Sequence, residues 1–218
     1  MRDIFLLDMD DTLLDFPRAE RAALKSCFEA CGVRSDDYAL TRFHEINDGL
    51  WKALERGETT RERLVYERFE LLFQELGIVR DAHTAAERYF EELASVCFPF
   101  DGVHAFLKEL KARGRIYIVT NGSEKIQHRH LRDSGVGAYA DGVFISEEIG
   151  FYKPSPAYCA YVKNAIQGYS GERAVYIGDS LTADKPCAVW LGARFLRFLP
   201  RGEGEGYRSY REILQALD

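Results

Sequence analysis

Ile4-Phe5-Leu6-Leu7-Asp8-Met9-Asp10-Asp11-Thr12 is the stretch that decides how this chain folds. Four consecutive apolar residues suit a short buried strand, and two carboxylates two residues apart follow directly. In open α/β sheets ligands gather at the carboxyl ends of the strands, so Asp8 and Asp10 are placed to face one small site. There one carboxylate can attack an electrophile while the other handles protons, provided a cation holds the pair together. Taken alone, the stretch reads equally as an acidic strand end with Asp10 or Asp11 capping a helix.

Three further segments remove that ambiguity, each behind an apolar strand-like run. Ile116-Tyr117-Ile118-Val119 leads into Thr120-Asn121-Gly122-Ser123, and Gly142-Val143-Phe144-Ile145 precedes a loop ending in Gly150-Phe151-Tyr152-Lys153-Pro154. Ala174-Val175-Tyr176-Ile177 runs into Gly178-Asp179-Ser180-Leu181-Thr182-Ala183-Asp184. In these four segments the chain resembles the haloacid dehalogenase superfamily, whose phosphatases carry D-x-D-x-T, a Thr or Ser, a Lys and G-D-x-x-x-x-D in this order. The likeness spans Asp8 to Asp184, and its force lies in four elements in order, each after a strand.

Composition sets the outer limits. The chain has 218 residues, 46% apolar and 29% charged, which fits a real core and excludes general disorder. The net charge of −6 and the absence of a basic run argue against binding a nucleic acid polymer. A small anionic substrate stays compatible with that charge, because local Lys and a metal ion can reverse the field in a cleft. Five cysteines without a C-x-x-C pair, and histidines without ligand spacing to Cys or acids, give no zinc pattern. The four apolar residues before Asp8 are too few for a signal peptide, and nothing approaches a membrane span. The expectation is a soluble, reduced, cytoplasmic protein, a monomer or homodimer.

Two regions carry different periodicities. From Phe100 onward strands and helices alternate, which implies a parallel sheet covered on both faces. The spacing predicts a helix over Ser180 to Leu191, a strand over Arg194 to Phe198, and a capping box at Ser209-Tyr210-Arg211-Glu212 opening a last helix. Between about 16 and 98 the apolar residues fall at helical intervals: Phe43, Ile46, Leu50 and Leu54, then Val65, Phe69, Leu72 and Leu76, then Ala86, Tyr89, Phe90 and Leu93. The expected organisation is an α/β Rossmann-like core over 1–15 and 99–218, with an inserted α-helical cap over 16–98. Both connections of the insert emerge beside Asp8 and Asp10, so the cap is expected to lie over the site as a lid.

The resemblance implies a mechanism. Asp8 would be the nucleophile that forms an aspartyl-phosphate, and Asp10 would protonate the leaving oxygen and then activate water. A carboxylate ~4 Å from a phosphate dianion meets repulsion on the order of 8 kcal/mol at an effective dielectric of ~20. Cations are therefore needed, and Mg²⁺ suits an oxygen-only nest; the resemblance places it on Asp8, the Asp10 carbonyl, Asp179 and Asp184. Lys153 would be the counter-charge to Asp8 and the phosphate, while Thr120 and the N–H groups of Asn121 and Gly122 would bind phosphoryl oxygens. Thr12 is expected to tighten the loop behind the nucleophile. An acid at position 10 points to phosphatases or phosphomutases, since the dehalogenases and phosphonate-cleaving relatives lack it. Lys185-Pro186 and Trp190 depart from the small aliphatic residues usual after Asp184, with Lys185 near enough in sequence to redirect that carboxylate.

A second likeness concerns the substrate. Asp8 to Phe16 with Ala19-Glu20, and Ile46-Asn47, Leu50-Trp51, Glu55, Gly57, Thr60-Arg61, Arg68-Phe69, Phe73 and Leu76-Gly77, resemble the house-cleaning pyrimidine 5′-nucleotidases. That implies a nucleoside 5′-monophosphate as substrate, with Phe16 or Trp51 stacking on the base, or else both filling the cap interior. The alternatives are a β-phosphoglucomutase-like sugar phosphate isomerase or sugar phosphatase, and a non-enzymatic interaction protein that keeps the fold.

Overall fold

The computed structural model describes residues 3–201 and 203–218. Five strands form one sheet: β1 (Asp3–Leu7), β2 (Gly114–Thr120), β3 (Gly142–Ile145), β4 (Ala174–Gly178) and β5 (Arg194–Arg197). Their order across the sheet is β3-β2-β1-β4-β5, and every pairing is parallel. β1 is thus central, with Leu7 aligned to Ile118 on one side and Ile177 on the other. The chain builds outward from β1 through β2 to β3, then returns to lay β4 on the opposite flank. That reversal is the topological switch at which ligands bind in such sheets, and Asp8, Thr120 and Asp179 all sit on its carboxyl rim.

The helices of this unit are α5 (Val103–Arg113), α6 (Glu124–Asp133), α7 (Ser146–Ile149), α8 (Pro156–Ala165), α9 (Asp184–Leu191) and α10 (Tyr210–Leu217). The inner strands β1, β2 and β4 are mostly apolar on both faces, as parallel strands buried between helices must be, whereas the edge strand β5 begins and ends in arginine. Ile4, Leu6, Tyr117, Val119 and Tyr176 pack with Tyr158, Cys159 and Val162 of α8 and with Cys187, Ala188 and Leu191 of α9. The alternate residues Phe5, Leu7, Ile116 and Ile118 are also buried, and α5 packs along β2. Phe106 of α5 stacks on Tyr210 at 4.4 Å, and Tyr210 stacks on Phe198 at 4.7 Å. The Tyr210 hydroxyl donates to the Thr12 carbonyl (2.8 Å), tying the last helix to the loop after β1.

Three local expectations are corrected. α9 begins at Asp184, not at Ser180. The Ser180 hydroxyl accepts from the N–H groups of Thr182 and Ala183 (3.3 and 3.0 Å), which makes a turn in place of a first helical turn. Trp190 stands 42% exposed on α9, with the Lys163 ammonium 5.9 Å from its ring, and displaces nothing in the core. At Ser209 the hydroxyl caps the Glu212 N–H (3.3 Å), but the Glu212 carboxylate reaches the N–H of Arg208 and not that of Ser209.

By compactness the chain divides into two units, Met1–Asp15 with Phe98–Asp218, and Phe16–Cys97. Phe98 belongs with the sheet because its carbonyl accepts from the Asp15 N–H (2.7 Å). The second unit holds α1 (Phe16–Ala30), α2 (Asp37–Glu55), α3 (Arg61–Glu75) and α4 (Ala82–Ser95). Side chains of Asp36, Thr60 and Asp81 cap the starts of α2, α3 and α4. Among the described residues no helix is long and apolar enough to cross a membrane.

Phe43, Phe69 and Tyr89 meet at the centre of the helical unit with ring centroids 4.8 to 5.7 Å apart. Into that aromatic cluster comes a buried charge. The Arg68 guanidinium lies 4.7 Å from the Tyr89 ring and donates to Asn47 Oδ1 (3.0 Å) and to the Val65 carbonyl (3.2 Å). Asn47 in turn donates to buried Glu20 (2.8 Å), whose other oxygen meets His44 Nδ1 at 2.6 Å. Cutting one member leaves a buried charge uncompensated, at a cost of about 3–5 kcal/mol. Arg68→Ala should therefore lower the urea unfolding free energy by about that amount. Trp51 fluorescence in a Trp190→Phe background reads it, and Arg68→Met with Glu20→Gln should recover most of the loss. A drop below about 1 kcal/mol would show the network to be energetically idle.

Candidate active site

Each element of the site sits where a strand ends. Directly after β1, the Asp8 N–H donates to the Ile177 carbonyl (2.9 Å), which extends the β1–β4 pairing by one residue and fixes the start of the loop. Met9 then accepts from the N–H groups of Leu13 and Leu14 (2.8 and 2.9 Å), folding the chain back on itself. Asp11 takes the left-handed conformation in this turn (φ 59°), which aspartate tolerates better than most residues. Thr12 donates its hydroxyl to Asp8 Oδ2 (3.1 Å), so it tightens the loop as expected from the sequence.

Lys153 is the centre of the arrangement. Its side chain is 2% exposed, and its ammonium donates to Asp8 Oδ1 (2.6 Å), Asp184 Oδ1 (2.8 Å) and the Val119 carbonyl (3.0 Å). All three of its protons are thereby engaged. Burial works to lower its pKa, but the carboxylates of Asp184 and Asp8 overcome it and hold the group protonated, well above the ordinary lysine range. The backbone of Lys153 is held by Asn121, whose amide donates to the Lys153 carbonyl (2.9 Å) and accepts from its N–H (2.7 Å). The loops after β2 and β3 are locked a second time by Glu147, which accepts from the Ser123 hydroxyl (3.0 Å) and the Glu124 N–H (2.6 Å). Thr120 closes β2 fully buried, and Gly122 follows.

On the β4 side, Asp184 is buried and fully bonded. It takes the Lys153 ammonium and the Tyr176 hydroxyl (2.9 Å) on one oxygen and the Ser180 N–H (3.0 Å) on the other. Lys185 does not redirect it; the Lys185 side chain is exposed. Gly178 is required at its position, since a Cβ there would lie 2.3 Å from Asp184 Oδ2. Asp179 is oriented through its backbone, where Arg197 Nε donates to its carbonyl (2.9 Å).

Carboxylate oxygens of Asp8, Asp179 and Asp184 lie within 4.8 Å of one another, and the three form an oxygen-only donor set. Burial, offset by Lys153 and reinforced by Asp184, pushes the Asp8 carboxyl up to about 7. Burial with the charges of Asp8 and Asp184 pushes Asp179 up to about 9, and Asp11 is raised to about 8 by burial and by Asp10. So many carboxylates cannot all ionise here without a cation beyond Lys153, and a hard divalent ion is the group their chemistry fits. Asp10 stands apart from this trio. Its pKa is raised by burial and lowered by His130 and by the Gln127 amide, which donates to Oδ2 at 2.7 Å. Its Oδ1 is buried with no hydrogen-bond partner among the described residues.

Asp8, Asp184 and Lys153 are therefore in direct contact, Asn121 touches the Lys153 backbone, and Thr120 and Asp179 end or follow neighbouring strands. Phe16 and Trp51 belong to the helical unit, both half-buried, with the Arg61 guanidinium 5.8 Å from the Trp51 ring. One reading of the histidines is corrected: Glu124 and His128, one helical turn apart, come within 4.8 Å of Glu148 on the surface, and His128 Nε2 pairs with Glu148 at 2.6 Å. Gln127, Tyr176 and Arg197 carry no motif, and nothing in the sequence singles them out.

Comparison with known proteins agrees with this geometry. Residues 3–192 match the family model described as haloacid dehalogenase-like hydrolase. The YfnB protein of Bacillus subtilis is 38% identical over 82% of this chain and 76% of its own length. The pyrimidine 5′-nucleotidase PynA of Streptococcus pneumoniae is 37% identical over 98% of this chain and 94% of its own. The crystal structure of YfnB bound to magnesium superposes with a TM-score of 0.94 at 33% identity, covering 100% of this chain and 99% of that one. The chain belongs to the haloacid dehalogenase-like hydrolases.

Proposed function

We propose that this hydrolase is a Mg²⁺-dependent phosphomonoesterase that works through an aspartyl-phosphate on Asp8 and acts on pyrimidine nucleoside 5′-monophosphates. The observation that carries the chemistry is the pair of unlike carboxylates after β1: Asp8 fixed against a buried ammonium, and Asp10 with one oxygen held and the other free. Similarity to PynA along almost the whole chain supports the substrate class. Asp8, Asp179 and Asp184, with the Asp10 carbonyl, would hold the Mg²⁺; their oxygen-only donor set and the similarity to YfnB, whose structure is bound to magnesium, support this. When bound, the ion offsets the negative charge that carboxylate and phosphate bring together.

Asp8 attacks phosphorus in line, its carboxylate held by Lys153 and Thr12 so that little reorganisation is needed. Lys153 meets the phosphate as a fixed charge, because its three donors are already committed. Thr120 and the N–H groups of Asn121 and Gly122, between β2 and α6, bind phosphoryl oxygens. Asp10 gives a proton to the departing oxygen and takes one back from the water that hydrolyses the acyl phosphate. Phe16 and Trp51 are the candidates for contact with the base.

Two measurements test this. Phosphate release from dUMP, dTMP and UMP should far exceed that from hexose phosphates and should fall to background in Asp8→Asn; turnover surviving in that variant would overturn the nucleophile. Without substrate, Mg²⁺ at a hundredfold excess over its Kd should stabilise the protein by about 2.7 kcal/mol. That appears as a rise in Tm, which EDTA reverses and Asp179→Asn largely abolishes. An unchanged Tm in the wild-type protein would count against the metal site.

A further inference from the structure

The geometry points to Gln127 as the positioning residue that selects which oxygen of Asp10 carries the catalytic proton. The inference rests on the acid role proposed above for Asp10. Gln127 lies on α6, is 2% exposed, and donates from Nε2 to Asp10 Oδ2 at 2.7 Å. This contact joins residues 117 apart in sequence. Room for it is made by Gly122, where a Cβ would stand 1.9 Å from Gln127 Nε2. Gln127 is therefore held against the acid from the same β2–α6 connection that supplies the proposed phosphoryl-binding N–H groups.

A carboxylic acid carries its proton on one oxygen, and the oxygen that accepts an amide N–H keeps its lone pair for that bond. With Oδ2 engaged by Gln127, the proton belongs on Oδ1, the oxygen that is buried without a protein partner. The same bond fixes the rotation of the carboxyl group, so Oδ1 keeps one direction through both halves of the cycle. In the first half the ester P–O bond breaks as the bond from Asp8 to phosphorus forms. The leaving oxygen keeps the bonding pair and takes the proton from Oδ1. In the second half Oδ1 accepts a proton from the water whose oxygen displaces Asp8 from phosphorus, which restores both carboxyl groups. Without Gln127 the acid remains, but neither its proton-bearing oxygen nor its orientation is specified. Loss of aim at a general acid reduces its contribution without removing it.

The test uses dependence on the leaving group, which a merely structural role would not alter. A nucleoside 5′-alkoxide must be protonated as it leaves, whereas p-nitrophenolate departs unaided. kcat/KM reports only steps through the first irreversible one, so it isolates transfer to Asp8 from later hydrolysis. Gln127→Met, similar in size but without a donor, should lower kcat/KM for dUMP by roughly tenfold to a hundredfold, a part of the ~10²–10⁴ that general acid catalysis supplies. For p-nitrophenyl phosphate the change should stay within about threefold, since no proton is required. Gln127→Asn, whose amide is shorter by one methylene, should show the same selective loss and provides a second variant if the first folds poorly. Retention of the Mg²⁺-dependent rise in Tm checks that each variant keeps its site. An equal loss on both esters, or no loss on either, would overturn the role of Gln127 while leaving the phosphatase standing. Absence of turnover by the wild-type protein on every ester would instead defeat the phosphatase reading itself.

Discussion

One buried ammonium ties the ends of four strands together. Lys153 follows β3, and its three protons go to Asp8 after β1, to Val119 within β2 and to Asp184 after β4. Removing one partner from such a buried set costs about 3–5 kcal/mol, because the charge left behind has no water to turn to. That penalty holds three loops in register, although loops are ordinarily the least constrained parts of a fold. Asn121 adds to it from the backbone side, closing a two-way bond on Lys153 so that the ammonium is aimed as well as trapped. Tyr176 and the Ser180 N–H do the same for Asp184. The rim at the carboxyl ends of the strands is thus assembled by electrostatics acting over short distances, on a sheet whose order brings these strand ends side by side.

What could be read in the sequence follows from this. Asp8, Thr120 and Asp179 stand at or directly beyond the end of an apolar run, where a strand pattern and a residue type mark them, whereas Lys153 and Asp184 lie several residues further on and are marked only by the resemblance to a family motif. Helical intervals through Phe43, Phe69 and Tyr89 mark α2, α3 and α4, whereas no such series marks α1. Gln127 had no such marker: it is one polar residue on an amphipathic helix, and only the register of α6 against the loop after β1 brings it to Asp10. Tyr176 was hidden for the opposite reason, since inside a strand it reads as another core aromatic while its hydroxyl serves Asp184. The helical pattern extends back to Ser180, four residues before α9 begins. The turn that delays it is made by side-chain bonds from Ser180 and Asp184, which periodicity does not register.

The helical unit shows how a family likeness can report architecture more than specificity. Asn47 and Arg68 are among the residues that resemble pyrimidine nucleotidases, yet both are spent on a buried chain running from Val65 to Glu20 and His44. Their side chains organise the packing of α1, α2 and α3 around Phe43 and Tyr89. The similarity to PynA covers 98% of this chain and so includes this unit. Half-buried Trp51, with the Arg61 guanidinium against its ring, is by contrast a side chain of this unit that keeps an accessible face.

The two acids behind β1 illustrate how position alone separates roles. Asp8 and Asp10 are the same residue type, two apart, Asp8 buried and Asp10 half-buried. Asp8 is given a cation and a hydroxyl, partners that favour the charged form. Asp10 is given one amide on one oxygen and nothing on the other, an environment in which a neutral acid is tolerated and its proton has a single place to sit. Nothing in the side chains themselves distinguishes the two. The distinction is drawn by Lys153 and Thr12 on one side and by Gln127 on the other. Chemistry at this strand end is therefore a property of the neighbours that three separate connections deliver, and those neighbours are in place before any substrate arrives.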